Sequence, residues 1–139
     1  MEKLIIRVYD QKDEIEVIKL WKICNIIVPQ NDPKLEINSK LNFQPDLFFV
    51  GLYKKKLIAT IMIGYEGHRG WINYLVVHPD FQRRGFGTKL MDYATKTLSK
   101  MGCRKINIQV RKSNIPVIQF YKKLGFIDDE VINYGKRIK

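Results

Sequence analysis

The run Gln82-Arg83-Arg84-Gly85-Phe86-Gly87-Thr88 sets two arginines beside two glycines where a helix begins, a combination suited to holding a phosphate. At a helix start several backbone N–H groups lack acceptors and the dipole is positive, so the turn is a ready anion site. Glycines at 85 and 87 remove side chains that would keep a diphosphate away from those amides. The run is not a P-loop, because G-x-x-x-x-G-K-[ST] is absent. Nor is it a dinucleotide fingerprint, because Leu90 stands where the third glycine would fall. Taken alone, it is a glycine-containing helix start.

The elements around it give it a place. The segment 71–78, WINYLVVH, reads as a strand ended by Pro79. From Gly85 to Met101 the apolar residues Leu90, Met91, Ala94, Leu98 and Met101 recur at helical spacing, with Lys89, Asp92, Lys96 and Lys100 facing away. Gly102 is placed to end that helix in a left-handed conformation. Upstream, 47–53 and 57–64 read as adjacent antiparallel strands joined by the turn around Lys54, Lys55 and Lys56. Residues 4–9 form a first strand. Asp10 caps a helix with Ile15, Ile18 and Trp21 on one face, and Asn31-Asp32-Pro33 starts a second.

Downstream, 105–110 alternates as a half-buried strand. Ser113 or Asn114 caps a last helix carrying Val117, Ile118, Tyr121 and Leu124, stopped by Gly125. The tail from Phe126 to Ile138 is expected to add one or two strands. The expected fold is therefore α/β, one domain over 1–139, with a mixed central sheet of six to seven strands flanked by about four helices.

Composition narrows the classes. At 139 residues, 45% of them hydrophobic, the chain can bury a core as one domain. It lacks the apolar stretch and cleavage site of a signal peptide, and no run approaches the eighteen or so apolar residues of a membrane span. Cys24 and Cys103 lie outside any metal or disulfide spacing, so a reduced, cytoplasmic protein without a metal is expected. The net charge of +11 is spread along the chain without interleaved aromatic platforms or a helix-turn-helix pattern. Most of it reads as solvated surface, compatible with a polyanionic small ligand, and nucleic acid is not expected.

The run Leu75-Val76-Val77-His78-Pro79 followed by Gln82 to Gly87 resembles the coenzyme A motif of the GNAT N-acetyltransferases, a strand L-x-V-x-P and then [QR]-x-x-G-x-[GA]. Further on, Asn114 and then Phe120-Tyr121-Lys122-Lys123-Leu124-Gly125-Phe126 are similar to the family's N…FYxxxGF segment. The likeness covers roughly 45 to 128. It implies a mostly antiparallel sheet and acetyl-CoA as co-substrate. It also implies that Leu75, Val76 and Val77 line the pantetheine arm, with the Val77 amide polarising the thioester carbonyl. The amides of Gln82, Arg83, Arg84, Gly85, Phe86, Gly87 and Thr88 would hold the pyrophosphate, and Asn114 would contact the coenzyme's arm. Tyr121 would protonate the departing thiolate, a role open to a phenol because it is protonated at pH 7.

An acceptor amine must lose a proton before attack. Glu66 and His68, in the turn between the strands 57–64 and 71–78, are the candidates for that base, near the face where an acceptor would enter. This Gly64–Gly70 stretch, with Asn31-Asp32-Pro33 and the tail Gly135-Lys136-Arg137, resembles a bacterial YpeA-like subgroup. The same residues also read as a polar hairpin turn. Cys103 reads as a packed residue, and Trp21 and Trp71 as core or pocket wall. The expected activity is transfer of an acetyl group from acetyl-CoA to an amine of a small molecule or a protein, by direct attack on the thioester. A non-catalytic coenzyme A sensor is the alternative, and a homodimer stays open.

Overall fold

The computed structural model describes residues 3–139, which fall into two compact units, one ending at Ile108 and one covering Gln109–Lys139. In the larger unit β1 (Ile5–Val8) is followed by α1 (Glu14–Ile23) and α2 (Pro33–Leu41). Strands β2 (Phe48–Tyr53), β3 (Lys56–Tyr65) and β4 (Gly70–Val77) come next, then α3 (Phe86–Lys100) and β5 (Ile106–Asn107). The sheet runs β1-β2-β3-β4-β5, antiparallel except for the parallel β4–β5 pair. The smaller unit holds α4 (Ile115–Lys123).

Strand β3 is the centre, buried without a break from Ile58 to Ile63. That is why its sequence reads as a continuous apolar run rather than an alternation. On one face Phe48, Val50, Met62 and Val76 pack with Tyr9, Val17, Leu20, Trp21 and Ile37. On α3, Phe86, Leu90, Met91, Ala94 and Leu98 are buried, and Tyr93 meets Phe49 edge-on at 5.0 Å. The start of α1 is pinned by Asp13, whose carboxylate takes two Arg7 hydrogen bonds at 2.7 and 2.9 Å and a third from the Asp10 amide. Asp32 caps α2, with Pro33 at its first position, where the missing N–H costs nothing.

Several expectations are corrected. The sheet has five strands, not six to seven, among the described residues. The tail beyond Gly125 forms no strand, and its Ile127, Val131, Ile132, Tyr134 and Ile138 are exposed. Its sequence groups Asp128-Asp129-Glu130 together and sets Val131 beside Ile132, so no two-residue period commits one face to a core. The strand expected at 105–110 shrinks to Ile106–Asn107, because its ladder with β4 covers only Gly70 and Trp71. On α1 the buried stripe is Val17, Leu20 and Trp21, with Ile15 77% exposed. Met101 likewise lies at the exposed end of α3.

Candidate active site

The site grows out of an irregularity in β4. Thr60 pairs with Val76 but Met62 with Asn73, so Tyr74 and Leu75 together oppose Ile61, a β-bulge. Tyr74 takes φ 50°, a left-handed conformation unfavourable for an aromatic residue. The surroundings hold it there. Trp21 Nε1 donates to Thr60 Oγ1 at 3.0 Å, and Thr60 Oγ1 donates to the Tyr74 carbonyl at 2.8 Å. The Trp21 and Tyr74 rings stack at 4.3 Å, and the Tyr74 hydroxyl reaches Glu36 at 3.4 Å. Trp21 is thus a core residue with a task, to brace the bulge. Thr60, which sequence reasoning passed over, is the sole polar side chain inside the run 57–63.

Beyond the bulge the edge of β4 away from β3 pairs with no strand among the described residues, because β5 stops after pairing with Trp71. The His78 amide donates to Ile58 at 2.8 Å, so hydrogen-bonded pairs alternate through Thr60 and Val76. With trans peptides, inward-facing Val76 leaves the Leu75 carbonyl and the Val77 N–H pointing outward. One acceptor and one donor therefore line this edge. The Val77 carbonyl is engaged by Gln82 Nε2 at 2.8 Å and by the Cys24 thiol at 3.6 Å, so here the strand offers the N–H. Burial raises the Cys24 pKa and keeps that thiol neutral.

The loop 82–88 follows directly, after a single 3₁₀ turn at Pro79–Phe81. Gly85 is the N-cap of α3 at φ 83°, and no side chain caps the helix there. The first amide accounted for is that of Lys89, which donates to Gly85. Phe86, Gly87 and Thr88 thus fill the first positions, whose N–H groups have no acceptor within the helix, and no acid sits in that turn. A Cβ built on Gly85 meets nothing within 4 Å, so glycine is required by conformation, not by crowding. Arg83 is exposed at φ 61°. Arg84 lies over the rings of Tyr53, Phe81 and Phe86 at 5.0, 5.5 and 5.5 Å and donates to the Tyr53 hydroxyl at 3.1 Å.

The turn with Glu66 and His68 is elsewhere. The pairing of Tyr65 with Gly70 puts it at the start of β4, whereas Val77 ends that strand. At about 3.3 Å per residue the two lie roughly 20 Å apart. Glu66 is exposed, and its Oε1 accepts from the amides of Arg69 at 2.6 Å and His68 at 2.7 Å. Those two hydrogen bonds, Arg69 foremost, hold its carboxyl below the usual carboxylate range. His68 is exposed, its ring 3.4 Å from the Arg69 guanidinium.

Cys103 packs behind Gly70, where an added Cβ would come within 2.9 Å of its sulfur, and donates to the Lys105 carbonyl. Trp71 is 36% exposed rather than core. In the smaller unit Asn114 caps α4 through Val117 at 3.4 Å. Tyr121 is buried, in edge contact with Phe120 and Phe126, and burial pushes its pKa up to about 12. Among the described residues no three His, Cys, Asp or Glu side chains gather to hold a metal, and no helix is long and apolar enough to cross a membrane.

A strand edge offering an amide and a carbonyl, leading into an uncapped helix start, has the hydrogen-bonding groups that an extended amide-bearing arm with a diphosphate at its end requires. The acetyltransferase (GNAT) family model matches residues 15–126, drawing on both units. An acetyltransferase of Yersinia enterocolitica is 45% identical over 133 residues, covering 96% of this chain and 94% of its own. One from Sodalis glossinidius is 45% identical over 134 residues with the same coverage. Among solved structures, Ard1 from Thermoplasma volcanium superposes with a TM-score of 0.78 at 23% identity, covering 89% of this chain and 82% of its own. A predicted acetyltransferase from Clostridium acetobutylicum, solved with acetyl-CoA, gives 0.71 at 23% identity, covering 97% and 96%. The two solved structures speak to the fold alone. The chain belongs to the GNAT family of acetyltransferases. It is an acyltransferase with acetyl-CoA as co-substrate.

Proposed function

We propose that the chain acetylates an amine by direct attack on the thioester, with the coenzyme laid along the open edge of β4 and its pyrophosphate on the start of α3. The observation that carries this reading is the outward pair at that edge, the Leu75 carbonyl and the Val77 N–H, leading into the uncapped amides of Phe86, Gly87 and Thr88. An arm anchored there meets Val77 first and the bulge further in. The Val77 amide is then placed to donate to the thioester oxygen as negative charge develops on it. Gln82, by clasping the Val77 carbonyl, fixes the loop to the strand, and Val76 fills the core beneath.

For the smaller unit the roles rest on its motif. Asn114 contacts the coenzyme's arm, and Tyr121 supplies a proton or hydrogen bond to the departing thiolate. The acceptor is a primary amine on a small metabolite or a protein, and the +11 charge favours one carrying negative charge. The Gly64–Gly70 turn supports the YpeA-like subgroup, and two free thiols fit a reduced, cytoplasmic setting. The test is a screen of amines with acetyl-CoA, following thiol release. Turnover with at least one amine is the expected result, and coenzyme binding without turnover on any amine would favour the sensor.

Glu66 reads best as the clasp of its own turn, with water taking the amine's proton. Its carboxylate already accepts two amides and is held weakly basic. Glu66→Gln is therefore expected to leave kcat within about threefold, where loss of a general base costs about a hundredfold or more. A hundredfold loss in a steady-state assay would return the base role to Glu66, and the same comparison with His68→Gln settles the neighbour.

A further inference from the structure

The β2–β3 hairpin closes on Lys54 and Lys55, both left-handed at φ 49° and 67°, between the paired residues Tyr53 and Lys56. Two-residue hairpin loops with positive φ at both positions are the preserve of Asn-Gly and similar pairs. Lysine there strains the backbone and adds charge. The charge is not dispersed. Lys54 Nζ lies 5.5 Å from the Tyr53 ring, Lys56 Nζ 5.6 Å from Phe81, and Lys89 Nζ 6.0 Å from Phe86. Arg84 sits over all three rings. The ring of Tyr53 is 5.7 Å from Phe81 and 5.2 Å from Phe86, the first residue of α3.

One aromatic platform thus holds four cations beside the start of α3, with Lys55 and Arg83 next to them in the chain. Among the described residues no carboxylate lies within 4.0 Å of any of these four cations. Mutual repulsion of so many unpaired charges favours an anion among them.

We infer that the Lys54-Lys55 turn and its aromatic platform form a subsite for a phosphomonoester, the ribose 3′-phosphate of acetyl-CoA. The subsite reads that group separately from the diphosphate held by α3. It rests on the coenzyme placement proposed above. A diphosphate on the α3 amides leaves the adenosine end of the coenzyme outside the β4 edge, and this platform is the cationic surface adjoining those amides. A phosphomonoester carries close to two negative charges at pH 7, so exposed lysines gain more from it than from a single carboxylate. The subsite gives the enzyme a preference for acetyl-CoA over acetyl-dephospho-CoA, which differs only in lacking that phosphate.

The test compares KM for the two thioesters in the wild-type chain and in the double variant Lys54→Asn/Lys55→Gly. That variant removes both charges and installs the favoured turn pair, so a folding defect cannot mimic the result, and Tm is expected to rise. The wild-type preference is expected to be about tenfold, the sum of two or three exposed charge contacts, and to fall to about twofold in the variant. A wild type that uses both thioesters equally, or a variant that keeps the full preference, would overturn the subsite while leaving the coenzyme placement intact. No turnover of either thioester would overturn the acetyl-transfer reading and the subsite with it.

Discussion

Replacing Tyr121 by Phe is expected to lower kcat by about a hundredfold to a thousandfold, the usual worth of a positioned general acid, with little change in acetyl-CoA affinity. The side chain is buried and its pKa stands at about 12, raised by burial. Its protonated form is therefore the one present throughout the range in which an acetyltransferase is assayed. Such a phenol is a much weaker acid than a thiol with its pKa near 8.5, so in the proposed role its contribution would be a hydrogen bond that strengthens as charge develops on the departing sulfur. The pH dependence follows. Tyr121 deprotonates only as pH rises through about 12, so it does not cause any loss of activity at pH 9 or 10. The variant should run parallel to the wild type across pH 6–9. A rate profile checks this, and a Phe variant with full activity would remove Tyr121 from the chemistry.

The second large effect is expected at Gly85. An alanine there meets open space but must hold φ near 83°, at a cost of about 1–2 kcal/mol. The cheaper response is for the loop to relax and swing the amides of Phe86, Gly87 and Thr88 off a common target. A hydrogen bond to a charged group is worth about 1.5–3 kcal/mol, so losing one raises the acetyl-CoA Kd by about tenfold to a hundredfold. Gly102→Ala is the matched control. It stands at φ 94° with nothing within 4 Å, at the other end of α3. It should lose similar stability in a thermal melt and keep its affinity in a calorimetric titration. Equal losses of affinity in both variants would mean that the effect is general destabilisation.

Local pattern carried a reader far in this chain. The period of Leu90, Met91, Ala94 and Leu98, the cap at Asp32 with Pro33, and the glycines 102 and 125 that end their helices are all short-range features, and all stand in the structure. Features set by distant partners did not show. The bulge at Tyr74 depends on Thr60 and on Trp21, far back along the chain, and only the lone polar residue in an apolar run hinted at it. The stripe on α1 was misread because Ile15 is apolar yet exposed, and hydrophobicity alone cannot say which of two overlapping stripes meets the sheet. The brevity of β5 follows from where β4 stops pairing with it, a fact about its neighbour.

The candidate site divides in the same way. Strand 71–78 and the helix start after loop 82–88 could be read because glycine and proline set the course of their own backbone. The surroundings of Glu66 could not be read, because the hydrogen bonds of a carboxylate depend on which amides it finds, and Glu66 finds those of its own turn. The role of Lys54 and Lys55 was hidden for a related reason. Nothing in a run of three lysines announces a left-handed turn beside an aromatic platform.

The central claim is that acetyl-CoA lies along the outer edge of β4 and ends on α3. Backbone amide shifts recorded during a titration with acetyl-CoA test it most directly. The largest changes are expected at Val77 and at Arg83 through Thr88, with the turn at Glu66 to Arg69 little affected. Saturable binding that moved the amides of α1 and β1 and left Val77 and the start of α3 in place would contradict the claim.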